Sequence, residues 1–195
     1  ITEQEAYLLT DFRYMTQAPQ QAKGFTVVEH GPKPMESVRE LLASANIKEV
    51  GFEQDTVTFG THSAYAEALQ SIELKAVSGI VEQLRIFKDE DEIAVMQKAA
   101  DLADATFSHV LQFAKPGMTE REVDLEMEFF MRKHGATSSS FDTIVASGER
   151  SAMPHGVASS KVIGQNELIT FDFGALLDGY CSDLTRTIAP GTPVP

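Results

Sequence analysis

The stretch ITFDFGALLDGYCSDLTRT, residues 169–187, has the pattern of two β-strands joined by a tight turn. Its Asp178-Gly179 dipeptide strongly indicates a two-residue hairpin loop, since both central positions of a type I′ turn need positive φ. With the loop there, Asp172 pairs with Thr185, and Asp183 lies two residues from Thr185 on the same face of the hairpin. Gly174 is a candidate for a β-bulge, which would shift this register.

The predicted hairpin brings two carboxylates close together. Asp172 and Asp183 become diagonal neighbours, with Cα atoms about 7–8 Å apart. Two carboxylates on one strand face repel each other unless a positive charge lies between them, and a hard divalent cation supplies that charge. The spacing alone leaves two interpretations open: a divalent metal site, or one aspartate that caps a turn and another that is solvated.

Two helices are predicted before the hairpin. The acidic run at 89–92 suits the positive end of a helix dipole, and apolar residues at helical spacing extend this helix to about residue 114. Thr119 and Glu122 form a capping-box signature for a second helix, which Gly135 can end. Strands are then predicted at 141–146, 168–173 and 180–188. Two helices followed by antiparallel strands indicate an α+β domain.

The earlier part of the chain alternates short strands with helices. Strands are predicted at 6–10, 25–29, 49–52 and 73–77, with helices at 35–45 and from an N-cap at Thr61 to residue 69. This alternation predicts an α/β layer with parallel strand pairing. Because the composition changes around residues 80–88, we expect one domain over residues 1–84 and a second over residues 85–195.

The composition excludes several classes of function. The 195 residues include 29 acidic and 16 basic ones, a net charge of −13, which repels phosphate backbones and argues against nucleic-acid binding. No apolar run is long enough for a membrane helix, and a single cysteine fits a reducing, cytoplasmic location. The chain starts at Ile1 and stops at Pro195, directly after its densest motif, so we expect it to be part of a longer protein.

Several motifs together resemble the creatinase/aminopeptidase-P family of pita-bread metallopeptidases. They are Pro154-His155-Gly156 followed by Asp172 and Asp183, the segments 145–148 and 84–88, and the Asp183-Leu184-Thr185-Arg186-Thr187 ending. Within the family, the chain is most similar to the bacterial Xaa-Pro aminopeptidases and Xaa-Pro dipeptidases. The resemblance implies that residues 1–84 are the rear part of a creatinase-type N-terminal domain. It implies likewise that residues 85–195 are the first half of a pita-bread catalytic domain.

The resemblance also implies a site and an activity. Asp172 corresponds to a ligand of one ion in a two-metal centre, and Asp183 to the ligand that bridges both ions. His155 corresponds to a histidine that is not a ligand but hydrogen-bonds the substrate or tetrahedral intermediate. The expected cofactors are two divalent ions, manganese by family precedent, and the substrates are proline-containing peptides cleaved at the Xaa-Pro bond. The family's other ligands, a His and two Glu, have no counterpart in this sequence, so its catalytic site is incomplete.

Other interpretations stay open. One is a methionine aminopeptidase, which shares a His and an Asp pair, and another is a non-catalytic relative that would use the fold for interactions. Creatinase-type amidinohydrolases keep the fold without the metal ligands, so Asp172 and Asp183 count against them. Members of the family are often dimers, so a homodimer is an expected assembly. The sequence does not separate dipeptidase from longer-peptide specificity. Cys181 is interpreted as a small packed residue rather than a nucleophile, and His109 and His134 as surface or capping residues.

Overall fold

The computed structural model describes residues 1–190. The chain divides into two compact units, of which the first is Ile1–Ile86 and the second begins at Phe87. None of the helices in residues 1–190 combines the length and the apolar character needed to cross a lipid bilayer.

The first unit contains two parallel pairs of strands. Strand β1 (Tyr7–Thr10) pairs with β2 (Thr26–Glu29), and β3 (Glu49–Glu53) pairs with β4 (Glu73–Val77). Four helices accompany them: α1 (Ala18–Gln21), α2 (Pro34–Ser44), α3 (Phe59–Ala68) and α4 (Ile80–Ile86). The predicted α/β alternation and the parallel pairing are therefore confirmed.

One helix start in this unit differs from the sequence prediction. The N-cap of α3 is Thr58, not Thr61, and Thr58 Oγ1 accepts a hydrogen bond from the backbone N–H of Thr61 at 3.2 Å. Both residues are threonines, and residue type by itself does not decide which of two nearby threonines caps a helix. The helix begins where the chain leaves the turn after β3.

The second unit begins with two long helices whose ends follow the predicted signals. In α5 (Glu90–Phe113), Asp89 is the N-cap and exchanges capping-box hydrogen bonds with Glu92. In α6 (Glu120–Lys133), Thr119 and Glu122 form the same reciprocal arrangement. Each pair satisfies backbone N–H groups that a helix start would otherwise leave free. The acidic run at 89–92 is thus a helix start, and Glu92 also accepts a hydrogen bond from the Tyr180 hydroxyl.

Two antiparallel three-stranded sheets complete the second unit. The first sheet has the order β10 (Leu184–Ile188), β7 (Ile169–Phe173), β6 (Ile144–Ser147). The second has the order β5 (Ser138–Ser139), β8 (Ala175–Leu177), β9 (Tyr180–Cys181). The sheets and helices share a core whose fully buried members include Val110, Val123, Met127, Phe171 and Phe173. The predicted order of two helices followed by antiparallel strands is confirmed.

Two predicted strands have different bounds in the structure. The segment predicted at 141–146 forms β6 only from Ile144, and the single strand predicted at 180–188 is divided into β9 and β10. The division falls at Ser182, whose backbone N–H donates to the carbonyl of Ala175 and whose Oγ accepts from the Ala175 N–H, both at 2.9 Å. The Ser182 hydroxyl therefore accepts the hydrogen bond that the backbone carbonyl of Ser182 would accept in a regular antiparallel pair of strands.

Candidate metal-binding hairpin and the loop beside it

One arm of the hairpin consists of β7 and β8, the other of β9 and β10, and the turn at Asp178-Gly179 joins them; it is called the β7–β10 hairpin below. This hairpin has the register that its turn dipeptide predicts. Asp178 and Gly179 have φ values of +47° and +86°, as a type I′ turn requires. Leu177 pairs with Tyr180 next to the turn, and Asp172 pairs with Thr185 further along. Gly174 does not form a bulge, because the two strands contribute equal numbers of residues between these pairs.

Gly174 instead permits a close approach of the two strands. A Cβ atom at this position would lie 1.7 Å from the carbonyl oxygen of Ser182 and 2.4 Å from Ser140 Oγ. Both neighbours are fixed, since Ser140 Oγ donates to that carbonyl at 2.9 Å and the Ser140 N–H donates to the carbonyl of Gly174 at 2.9 Å. A side chain at residue 174 would therefore have to displace the backbone next to Asp183.

We expect Gly174→Ala to lower the free energy of unfolding by about 3 kcal/mol, because the added methyl group overlaps backbone atoms that cannot move alone. The measurement is urea denaturation followed by circular dichroism. Gly60→Ala is the control, since no atom lies within 4 Å of its added Cβ; in helix α3 it should raise stability by up to about 1 kcal/mol rather than lower it. Equal effects of the two substitutions would contradict this explanation.

The structure places the two predicted ligands on the two arms of this hairpin, one on each. Asp172 is half-buried in β7, and its Oδ1 accepts a hydrogen bond from Thr185 Oγ1 at 2.7 Å. Asp183 is exposed and directly precedes β10. Within residues 1–190, no hydrogen bond joins the side chains of Asp172, Asp183 and His155, and no three His, Cys, Asp or Glu residues form a group that could hold a metal ion.

His155 lies at the exposed tip of a loop that packs on β6. This loop, residues 148–158, is called the His155 loop below, and it begins with the 3₁₀ helix Gly148–Ala152. The carbonyl of His155 accepts from the N–H of Val157 at 2.9 Å. The next residue, Gly156, is buried, and a Cβ there would lie 3.2 Å from Cβ of Ala146. A glycine after the histidine thus allows the loop to lie against the strand.

A buried carboxylate beside this loop was missed by the sequence analysis. Glu120, the first residue of α6, is fully buried. Its Oε1 accepts from the N–H and Oγ of Ser147 at 2.8 and 3.0 Å. Its Oε2 accepts from the N–H and Oγ of Ser159 at 3.2 and 2.7 Å, and from Arg150 Nε at 3.0 Å. Nothing in the sequence distinguishes Glu120 from the exposed acidic residues common in a first helical turn.

Burial and hydrogen bonding act in opposite directions on Glu120. Burial raises the pKa of its carboxyl, but the hydrogen bonds from Ser159 and Ser147 outweigh this and hold the pKa below its ordinary value of 4.5. The carboxylate is therefore ionised in the folded protein at neutral pH. It joins the start of α6 to both ends of the segment from Ser147 to Ser159.

This pKa shift has a predictable effect on stability. Because folding lowers the pKa of Glu120, the ionised carboxylate contributes stability above pH 4.5, and this contribution is lost as the pH falls through the folded-state pKa. We expect the free energy of unfolding of the unmodified chain to fall more steeply below about pH 4.5 than that of Glu120→Gln. Urea titrations from neutral to acidic pH measure the two slopes. The control is Glu128→Gln, which alters an exposed ion pair with Arg132. Equal slopes for the unmodified chain and for Glu120→Gln would contradict the prediction.

Three further side chains from the sequence analysis have defined positions. His134 is the C-cap of α6, and its Nδ1 lies 2.8 Å from the carbonyl oxygen of Phe130, which confirms a capping role. His109 packs between the two long helices, where its Nε2 lies 2.7 Å from Glu126 Oε1 and its ring stacks on Phe130 at 4.4 Å.

The packed position interpreted for Cys181 is wrong, because its side chain is exposed. It lies in the two-residue strand β9, outside the β7–β10 sheet.

Family comparisons match both parts of the chain. Residues 1–87 match the creatinase/prolidase N-terminal domain, and residues 94–195 match metallopeptidase family M24. The "uncharacterized peptidase YqhT" of Bacillus subtilis is 49% identical over 193 residues, which cover 99% of this chain and 55% of that protein.

Solved structures give the same result. An Xaa-Pro dipeptidase from Bacillus anthracis superposes with a TM-score of 0.94 at 52% identity, covering 100% of this chain and 54% of that one. An X-Pro aminopeptidase from Thermotoga maritima superposes with a TM-score of 0.92 at 36% identity, covering 100% and 55%. The chain thus spans about half the length of these relatives. It belongs to metallopeptidase family M24, and comprises a creatinase-type N-terminal domain and the first part of an M24 catalytic domain.

Proposed function

We propose that this chain is part of a metal-dependent exopeptidase that hydrolyses the Xaa-Pro bond at the N-terminus of peptides or in dipeptides. The observation that carries the proposal is the β7–β10 hairpin. It pairs Asp172 with Thr185 and sets Asp183 directly before β10, in a chain whose structural relatives include an Xaa-Pro dipeptidase and an X-Pro aminopeptidase. The activity belongs to the full-length protein, by which we mean this chain extended to the length of those relatives.

In this proposal, Asp172 and Asp183 are two ligands of a centre that holds two divalent ions. Their chemistry suits the role, because carboxylate oxygens are the ligands that hard divalent cations prefer. Thr185 occupies only Oδ1 of Asp172, and Asp183 is exposed, so oxygens remain for metal binding. We propose manganese as the metal. The His and the two Glu ligands of the family would come from the remainder of the full-length protein.

The bound ions would lower the pKa of a shared water and polarise the scissile carbonyl. This chain would contribute two kinds of side chain to that chemistry: metal ligands and a hydrogen-bond donor to the reacting group. Asp183, two residues from Thr185, would bridge the ions, and Asp172 would hold one of them while Thr185 orients its carboxylate through the 2.7 Å hydrogen bond. His155 would donate a hydrogen bond to the oxygen on which negative charge develops during attack on the peptide bond.

The proposed substrates are proline-containing peptides. A proline after the scissile bond makes that amide tertiary, without an N–H, so recognition must depend on the shape of the ring.

We further propose that residues 1–84 are the rear part of the N-terminal domain and residues 85–195 the first half of the pita-bread domain. A cytoplasmic location suits the single cysteine, and we propose a homodimer as the assembly.

The test is hydrolysis by the purified full-length protein, first stripped of metal and then supplied with Mn²⁺. We expect turnover of Xaa-Pro dipeptides or of peptides with proline in second position, and loss of turnover without metal. Matched Xaa-Ala peptides and a peptide with N-terminal methionine are the controls. Preference for the methionine peptide would favour a methionine aminopeptidase, and no turnover of any substrate would favour a non-catalytic role.

A further inference from the structure

The His155 loop is held by one side chain that reaches across it. Arg150 lies in the 3₁₀ helix at the start of the loop, and its side chain is 28% exposed. Its Nη2 donates to the carbonyl oxygen of Val157 at 2.7 Å, and its backbone carbonyl accepts from the N–H of Met153 at 2.9 Å. Met153 and Val157 are two residues before and two residues after His155. Arg150 therefore contacts the backbone on both sides of the loop tip, through its own carbonyl before the tip and through its guanidinium group after it.

The buried carboxylate of Glu120 fixes the direction of this guanidinium group. Arg150 Nε donates to Glu120 Oε2 at 3.0 Å, while Nη2 points to Val157. A planar guanidinium with two donors engaged in this way has little rotational freedom. Glu120 is itself held by backbone N–H groups of Ser147 and Ser159. The arginine is thus anchored to the two segments from which the loop emerges.

A second ion pair holds the start of the loop. Lys161 Nζ donates to Ser147 Oγ at 2.9 Å and to Glu167 Oε2 at 2.6 Å. Gly148 has a φ of +58°, and a Cβ there would lie 2.7 Å from Glu167 Oε1. Ser147 Oγ accepts from Lys161 and donates to Glu120, so the two ion pairs form one hydrogen-bonded chain. Nearer the tip, the N–H of Gly156 donates to the carbonyl of Met153 at 3.2 Å and Val157 forms a β-bridge with Ile144. To these backbone contacts Arg150 adds a charged side chain that is bound to the loop next to its tip.

We propose that Arg150, oriented by the buried carboxylate of Glu120, is a positioning residue for His155. The proposal rests on the role given to His155 under the proposed function. The arginine acts through the backbone of Val157, whose N–H donates to the carbonyl of His155 at 2.9 Å. A histidine that stabilises a transition state must be held to within a fraction of an ångström, and small displacements lower the rate.

The test compares Arg150→Lys with Arg132→Lys in the full-length protein supplied with Mn²⁺. A lysine at residue 150 keeps the charge but cannot contact Glu120 and Val157 with a fixed fork of donors. We expect kcat for an Xaa-Pro peptide to fall about ten- to a hundredfold, with KM changed less than about threefold. Arg132→Lys, which alters an exposed ion pair with Glu128 on α6, should leave both constants unchanged.

A second measurement does not depend on activity. In metal-free protein labelled with ¹³C in its histidine rings, so that paramagnetic Mn²⁺ does not broaden the signals, the resonance of His155 is assigned by its loss in His155→Gln. It should broaden or divide in Arg150→Lys while the other histidine resonances stay. Ser159→Ala, which removes one donor from Glu120 but leaves Arg150 in place, should give a smaller change in the same direction. If Arg150→Lys fails to fold, Ser159→Ala provides the test of the proposal.

The outcomes separate this proposal from the proposed function. An unmodified protein that does not cleave Xaa-Pro peptides would overturn the proposed function, while the ring resonances would still report whether Arg150 orders His155. A purely structural role for Arg150 would reduce the folded fraction and leave kcat per folded molecule and the His155 resonance unaltered. That result would overturn the positioning role.

Discussion

In the full-length protein, Asp183→Ala is expected to lower kcat for Xaa-Pro hydrolysis by several orders of magnitude. Under the proposed function, Asp183 is the carboxylate that bridges both ions, so its removal disrupts the binding of each of them and the activation of the shared water. Asp183 is exposed and directly precedes β10, and its side chain therefore contributes little to the packing of the hairpin. The loss should appear as lost metal and lost turnover in a protein that remains folded.

The measurement combines kcat with metal content by atomic absorption and with the midpoint of thermal unfolding. Asp104→Ala is the matched control, since Asp104 is exposed on α5 and far along the chain from the hairpin. It should retain full activity and full metal content. An Asp183→Ala enzyme that binds two ions and turns over normally would refute the assignment of this ligand.

Residues 1–195 expressed alone are expected to bind Mn²⁺ weakly and to show no Xaa-Pro hydrolysis. Asp172 and Asp183 supply only carboxylate oxygens, and a divalent ion held by one or two carboxylates stays largely hydrated. Within residues 1–190, no third ligand joins them. Leu125 and Phe129 on α6 are 56% and 61% exposed, and we expect such apolar surface to be covered in the full-length protein.

Isothermal titration with Mn²⁺ and a peptide assay measure both parts of this prediction. The full-length protein, assayed at the same metal concentration, is the positive control. Asp172→Asn in the chain alone should change the already weak Mn²⁺ binding very little. Robust turnover by residues 1–195, or tight binding of two ions by them, would contradict the prediction and show that the chain completes the site by itself.

Much of the hairpin could be predicted because its determinants are local. Asp178-Gly179 fixes a type I′ turn, and a two-residue turn leaves one register for the strands on either side. Asp172 therefore pairs with Thr185 as predicted. The starts of α5 and α6 could be predicted for the same reason, since the acidic run at 89–92 and the capping-box signature at Thr119 and Glu122 are each contained within four residues.

The interruption of the same hairpin could not be predicted from local pattern. The segment 180–188 alternates as a single strand would. In the structure, the Ala175 N–H donates to Ser182 Oγ, while the carbonyl of Ser182 accepts from Ser140 Oγ, 42 residues away, and the ladder is divided between β9 and β10. Cys181 lies in the short strand β9 that this division creates, and its side chain is exposed. The relative positions of Asp172, Asp183 and His155 around a metal centre remain a prediction.

Sequence pattern missed the short elements α1, α4, β5 and β8, but it predicted the order of the other elements, the parallel and antiparallel pairing, and the register that pairs Asp172 with Thr185. These features follow from turn residues, caps and apolar periodicity, which act over a few positions. By contrast, long-range folding makes Glu120 a buried carboxylate, while Glu122, two residues later, is an exposed cap. The partners of Glu120 lie 27 to 39 residues further along the chain. A charged side chain is stable in the core only where folding brings enough donors around it, and no short stretch of sequence contains those donors.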